Sequence, residues 1–207
     1  MRSTVILPIE DNKDFLKSIM SIIENTVKPT NICIVSNCDI SKNSVDIINV
    51  FFNSCCNQSS ITYEQFKDYN IKIATNNNIT YTYIQTVKNL NLKDLHVFAI
   101  QKMYDKTDVY MSLSSGSIYM SNCIEKILKK FEDRLTGIVY SDYISNEQYQ
   151  YLSTIHSLVN YFIPIKEMAF SKEVINKDAF VLDPMEVIRN AFDKALVRYI
   201  PEALFIT

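Results

Sequence analysis

Few side chains in this sequence stand where chemistry would need them. Asp142 lies in Ser141-Asp142-Tyr143, directly after the β-branched and aromatic run Ile138-Val139-Tyr140, where a carboxylate either faces a ligand cleft or starts a turn. Asp183 opens Asp183-Pro184-Met185-Glu186, which puts Asp at an N-cap, Pro at N1 and Glu at N3, a complete helix-start signature. His156 sits between Ile155 and Ser157 with no carboxylate or cysteine at a telling spacing, and reads as an ordinary histidine. The five cysteines, Cys33, Cys38, Cys55, Cys56 and Cys123, contain no C-x2-C pair, and both His96 and His156 stand apart from them. They read as reduced, mostly buried thiols, with Cys55-Cys56 a helix-borne pair.

The chain has only two glycines, Gly116 and Gly137, in 207 residues, where ordinary usage would supply about fourteen. A P-loop or a G-x-G-x-x-G turn needs backbone without Cβ close to phosphate, so both classes are excluded. Lys and Arg number 21 against 23 Asp and Glu, and they are scattered. That pattern offers no footprint for a nucleic-acid backbone and none for an anionic membrane. The opening Val5-Ile6-Leu7 before Pro8 is too short for a signal peptide or a membrane span. The expected location is the cytoplasm or an assembled particle.

The elements that must position these residues alternate. Thr4–Leu7 is a strand ended by Pro8, and Phe15, Ile19, Ile22 and Ile23 follow at helical spacing. Ile32–Val35 is a second strand, with Ile48, Phe51, Phe52 and Cys55 on one face of the helix after it. Ile71–Ala74 reads as a third strand, Tyr83, Val87 and Leu90 as a helix, and Leu95–Tyr104 as another. Val109–Leu113 is a fourth strand, followed by a helix with Ile124, Ile127, Leu128 and Phe131 inward. Strand and helix in turn imply a mostly parallel central sheet flanked by helices, with ligands at the strands' carboxyl ends, near Leu7, Val35, Ala74 and Leu113. After Gly137 the pattern shifts to Ile138-Val139-Tyr140, a stretch rich in Tyr and Gln, Phe162–Phe170, and a last helix from Pro184 to about Leu196, as in the mixed-strand half of an α/β domain. No linker or internal repeat interrupts the chain, and beyond Asn76-Asn77-Asn78 no segment is of low complexity, so 1–207 reads as a single domain.

Four segments and a two-part carboxyl end, in order, resemble glycosyltransferases of the GT-A fold, the large inverting family that begins with a strand, a proline and a helix. Val5-Ile6-Leu7-Pro8-Ile9-Glu10-Asp11 looks like V-I-I-P-T-Y-N, and Ile32 to Asp39 like I-I-V-V-D-D-G-S. Val109 to Ser117 lies where that family runs a strand into D-x-D. Ile138-Val139-Tyr140-Ser141-Asp142-Tyr143 is similar to the V-Y-S-D-Y that often follows, including in bacteriophage-encoded proteins. Asp183 through Arg189, and Tyr199 to Phe205, resemble E-D-x-D-L-W-x-R and a closing I-P-E-x-L.

The resemblance implies a nucleotide-sugar site at Pro8, Glu10, Ser36, Asn37, Ser114 and Asp142, and it makes Asp183 the candidate catalytic base. Its departures fall on the chemistry. Glu10 stands where an aromatic residue would stack on the base, and Ser36 where an Asp would bond its imide. Ser114-Ser115-Gly116-Ser117 replaces the acids that hold a divalent cation, and Leu182 replaces the acid before Asp183. The expectation is a glycosyltransferase-like domain that has lost metal-dependent transfer, needs no cofactor, and serves as a structural or binding subunit among protein partners. The Lys, Asn and Ile bias resembles an AT-rich viral genome and suggests a bacteriophage particle. The alternative is an active inverting transferase, either with manganese or magnesium or with Lys166, Lys172 or Arg189 in place of the cation. Tyr140, Tyr143, Tyr149, Tyr151 and Tyr161 could stack on a sugar or form a protein interface.

Overall fold

The structure is a computed structural model that describes residues 1–11, 14–55, 61–151, 168–175 and 195–207. Asp183, His156, Tyr161, Lys166, Arg189, Cys56 and the body of the helix expected from Pro184 lie outside the described residues.

Period-2 burial builds the centre. In β1 (Ser3–Pro8) and β2 (Asn31–Ser36), Val5, Leu7, Ile32 and Ile34 face one core cluster while Ile6, Cys33 and Val35 face another. Strands buried on both faces read as continuous apolar runs, which is why these two stand out in the sequence. They pair in parallel with each other and with β5 (Ile79–Thr86) and β6 (Val109–Ser112). The edge on the β5 side is antiparallel, through β4 (Tyr69–Asn76) and β3 (Thr62–Gln65). On the other side come β7 (Ile118–Tyr119), β8 (Thr136–Ser145), β9 (Gln148–Gln150), β10 (Ala169–Ser171) and β11 (Leu196–Ile206). The eleven-stranded sheet runs β3-β4-β5-β2-β1-β6-β10-β8-β11-β7, with β9 paired to β8.

Helices cover both faces. Phe15, Ile19 and Ile22 of α1 (Phe15–Ile23), Ile48, Phe51 and Phe52 of α2 (Lys42–Cys55), and Ile124 and Ile127 of α4 (Cys123–Lys130) close one cluster; Leu95, Ala99, Ile100 and Met103 of α3 (Leu92–Met103) close the other. Side-chain caps set the starts: Asp14 accepts from the Lys17 N–H, Ser41 from Ser44, and Asn91 from Asp94. No helix among the described residues is long and apolar enough to cross a membrane.

Three expectations are corrected. Tyr83 lies in β5, and Val87 and Leu90 in the loop after it, so no helix stands there. The Asn76-Asn77-Asn78 run is a hairpin turn: Asn77 and Asn78 take φ of 49° and 65°, the pair of positive values that a two-residue β-turn demands. Ala74 therefore sits in a strand running against β5 and faces Tyr81 near the amino end of β5, away from Leu7, Val35 and Leu113. Leu196 opens β11 instead of closing a helix. In that strand Pro201 and Glu202 sit at a register shift between Ile200 and Ala203, a bulge that accommodates a residue without an N–H.

Candidate functional site

At the carboxyl ends of β1 and β2 the chain opens a cavity of about 200 Å³ lined by Ile9, Glu10, Asp11, Asn37, Asp39, Ile40, Leu90, Leu92 and Leu95. Its walls are built by hydrogen bonds from the loops. The Asn37 amide donates to the Leu90 carbonyl at 2.8 Å and accepts from the Leu90 N–H at 2.8 Å, so one side chain ties the β2 end to the β5–α3 loop. Asn89 donates to the Asp39 carboxylate at 2.7 Å. Both oxygens of Asp11 lie 2.8 Å from the Ser41 N–H just before α2, and that bond holds the Asp11 carboxyl below its usual range.

Three carboxylates line this cavity, and no lysine or arginine lines it among the described residues. Such a lining accepts hydrogen bonds. It suits a neutral ligand rich in donors, such as the N–H of a base or the hydroxyls of a ribose, and repels phosphate. Of the residues expected here, Glu10 and Asn37 line the cavity. Pro8 is buried at the end of β1, and the fully buried Ser36 hydroxyl is bonded at 2.9 Å to Tyr83 Oη. Asp11 and Asp39 were not singled out by sequence reasoning; both follow buried strands within three residues, which was the available signal.

Ser114-Ser115-Gly116-Ser117 follows β6 as a tight turn. The Ser117 N–H donates to the Ser114 carbonyl at 3.0 Å, and Gly116 has φ of 87°, the positive value required at the third position of a type II turn. Ser18 of α1 pins the turn, accepting from the Gly116 N–H at 3.0 Å. Ser114 and Ser115 are 6% and 4% exposed, and neither hydroxyl has a partner among the described residues. The donor set does not fit a divalent cation, which takes charged oxygens at such a site. Nor do the described residues contain any group of three or more His, Cys, Asp or Glu that could hold a metal ion.

Two strands away from β6, Asp142 on β8 is 1% exposed and accepts from Tyr149 Oη at 3.0 Å and Tyr199 Oη at 2.6 Å. Lys172, a candidate to replace the cation, lies at the other end of the sheet. Its N–H donates to the Asp108 carbonyl just before β6, and its ammonium rests over the Tyr104 ring at 4.4 Å. From Asp108 to Ser114 is about 20 Å of extended chain, so Lys172 does not serve the Ser114 end. His96, which sequence reasoning left aside, is 2% exposed on α3 and bonds Ser112 at the end of β6.

No protein-family model matches the chain, and no curated protein matches its sequence. Solved structures do. S. aureus TarS 1-349 in complex with UDP-GlcNAc superposes with a TM-score of 0.72 at 9% identity, over 100% of this chain and 58% of that one. The same protein in complex with UDP gives 0.68 at 9%, over 100% and 60%, and a longer TarS chain gives 0.69 at 10%, over 100% and 36%. This chain thus spans about three fifths or less of these neighbours. The fold is that of GT-A-like glycosyltransferases.

Proposed function

We propose that this chain is a single glycosyltransferase-like domain that binds the nucleoside end of a nucleotide sugar, has lost metal-dependent sugar transfer, and serves as a binding or structural subunit of a larger assembly such as a bacteriophage particle. One observation carries the reading: the cavity at the β1–β2 end is lined by carboxylates, and the turn after β6 holds only neutral, buried hydroxyls at Ser114 and Ser115. A diphosphate needs positive charge, and neither the cavity lining nor the Ser114-Ser115-Gly116-Ser117 turn contains a lysine or arginine. The TarS complexes with UDP and UDP-GlcNAc support a nucleotide ligand. The edge strand β3 supports the assembly: it pairs only with β4 among the described residues and exposes Tyr63 at 65%, with Phe66 beside it at 43%.

Calorimetry with uridine, UDP, UDP-GlcNAc and a guanosine diphosphate sugar, each with and without manganese, tests this. Uridine is expected to bind, and UDP to bind through the same nucleoside end but no more tightly than uridine, both indifferent to manganese and with no sugar transferred. Manganese-dependent binding or measurable turnover overturns it in favour of the alternative, an active inverting transferase with Asp183 as base, which the UDP-GlcNAc complex of TarS also favours.

A further inference from the structure

The β8–β9 hairpin carries an arrangement that the nucleoside cavity does not use. Residues two apart on a strand share a face, so Tyr140, Asp142 and Ile144 project together. Tyr149 lies opposite Ile144 across the hairpin, and Tyr199 opposite Tyr140 from β11. Asp142 clamps two of these tyrosines by their hydroxyls, Tyr149 through Oδ2 and Tyr199 through Oδ1. The hairpin itself is fixed by a turn in which Asn146 and Glu147 take φ of 49° and 62°. Beyond the clamp, Tyr149 is 39% exposed and Tyr151 72% exposed, with ring centroids 4.5 Å apart and planes tilted by 44°.

A tyrosine tethered at its hydroxyl cannot fold away, so the ordering cost of binding on its ring is already met. The pair sits beside the last residues of β8, which runs parallel to β1 and β6 through the antiparallel β10, and ligands of such sheets bind near that end. Two tilted rings match the apolar C–H face of a pyranose with its rim of hydroxyls. They are too few for a stable protein interface, which needs about 800 Å² per partner.

We propose that the Tyr149–Tyr151 ring pair, in which Asp142 fixes Tyr149 and Tyr151 rests against the Tyr149 ring, is a docking platform for a neutral oligosaccharide. Its pairing with a nucleotide sugar as second ligand rests on the proposed function; the platform stands on the hairpin geometry. Asp142 is a positioning residue, because it is buried and its carboxylate accepts from the Tyr149 and Tyr199 hydroxyls.

Saturation-transfer NMR of the full chain with chitotetraose, maltohexaose and cellohexaose tests it, with UDP titrated in parallel. At least one oligosaccharide is expected to bind, with saturation strongest on its ring C–H protons. Tyr151→Ala should weaken binding about tenfold, Tyr151→Phe should retain it, and Tyr149→Phe, which frees the ring from Asp142, should weaken it about threefold. UDP affinity should be unchanged in all three. No binding of any oligosaccharide, or binding indifferent to Tyr151→Ala, overturns the proposal. So does self-association that Tyr151→Ala abolishes in a protein that binds no oligosaccharide. Oligosaccharide binding without UDP binding would leave the platform standing and remove the nucleotide reading.

Discussion

The His96 Nε2 of α3 lies 2.5 Å from the Ser112 hydroxyl at the end of β6, and its Nδ1 lies 3.0 Å from the Leu92 carbonyl. A carbonyl only accepts, so Nδ1 carries the hydrogen and, in the neutral ring, Nε2 accepts from Ser112. The bond joins the helix whose first turn lines the cavity to the strand that carries the Ser114 turn. His96→Ala is expected to lower stability by roughly 2–4 kcal/mol, through a buried cavity and an orphaned hydroxyl. Ser112→Ala should cost about 1–2 kcal/mol. In urea denaturation the double variant should cost less than the sum of the two, because both substitutions break one bond.

Gly137 has no room for a side chain. A Cβ there would meet the Ala195 Cβ at 2.5 Å and Val174 Cγ1 at 2.6 Å, where β8 passes the turn after β10 and the start of β11. Gly137→Ala should destabilise by roughly 1–3 kcal/mol through overpacking. Thermal melts measure it, and Val174→Ala in the same chain should recover part of the loss.

The parallel centre was legible because β1, β2 and β6 are buried on both faces and carry unbroken apolar runs. β5 was not. Ile79-Thr80-Tyr81-Thr82-Tyr83-Ile84 is rich in β-branched and aromatic residues, but the hairpin before it turns on Asn77 and Asn78 without a glycine, and glycine is the usual signal of such a turn. Of the site, the loops after β1 and β2 were legible by position. The roles within them were not: Ser36 points into the core against Tyr83, while Asp39, three residues on, reaches the cavity. Which residue of a loop faces a ligand is decided by partners such as Tyr83 and Asn89, and these come from other segments of the chain.

Asn37 makes the cavity wall, so its loss should be felt twice. Asn37→Ala removes both bonds to Leu90 and the acceptor that faces Thr86 Oγ1 at 3.4 Å. A stability loss of roughly 1–3 kcal/mol is expected, because the Leu90 backbone groups are left without partners in a half-buried loop. Calorimetry should show UDP binding weakened at least about tenfold at a temperature where the variant is still folded.

Acid should act through three aspartates. Asp11 is held low by the Ser41 N–H, Asp108 by the hydrogen bond from Arg2, and Asp133 by that from Arg198. Each carboxyl is lower in the folded chain than in the unfolded one. Its stabilisation is therefore complete above the ordinary aspartate value of about 3.9 and is lost as pH falls through the folded values. These groups should leave the melting temperature flat from pH 8 to about 5 and lower it progressively below about pH 4. In Asp11→Asn the acid slope should be shallower than in the parent.

Cys38 gives a direct chemical test of the cavity's position. It is exposed, its Sγ donates to Asn89 Oδ1 at 3.0 Å, and its neighbours Asn37 and Asp39 both line the cavity. Cys33 and Cys123 are buried, and burial pushes the Cys33 thiol up to about 12 and the Cys123 thiol up as well, so neither supplies the thiolate that alkylation needs. Brief treatment with N-ethylmaleimide, followed by peptide mapping, should therefore find Cys38 modified well before Cys33 or Cys123. A ligand seated between Glu10 and Asp39 covers the loop on which Cys38 stands. Saturating UDP should slow the modification of Cys38, and the modified protein should bind UDP more weakly, while Cys38→Ser should bind it as the parent does. Modification at an unchanged rate under saturating UDP, in a protein that calorimetry shows to bind UDP, would place the nucleotide elsewhere on the chain.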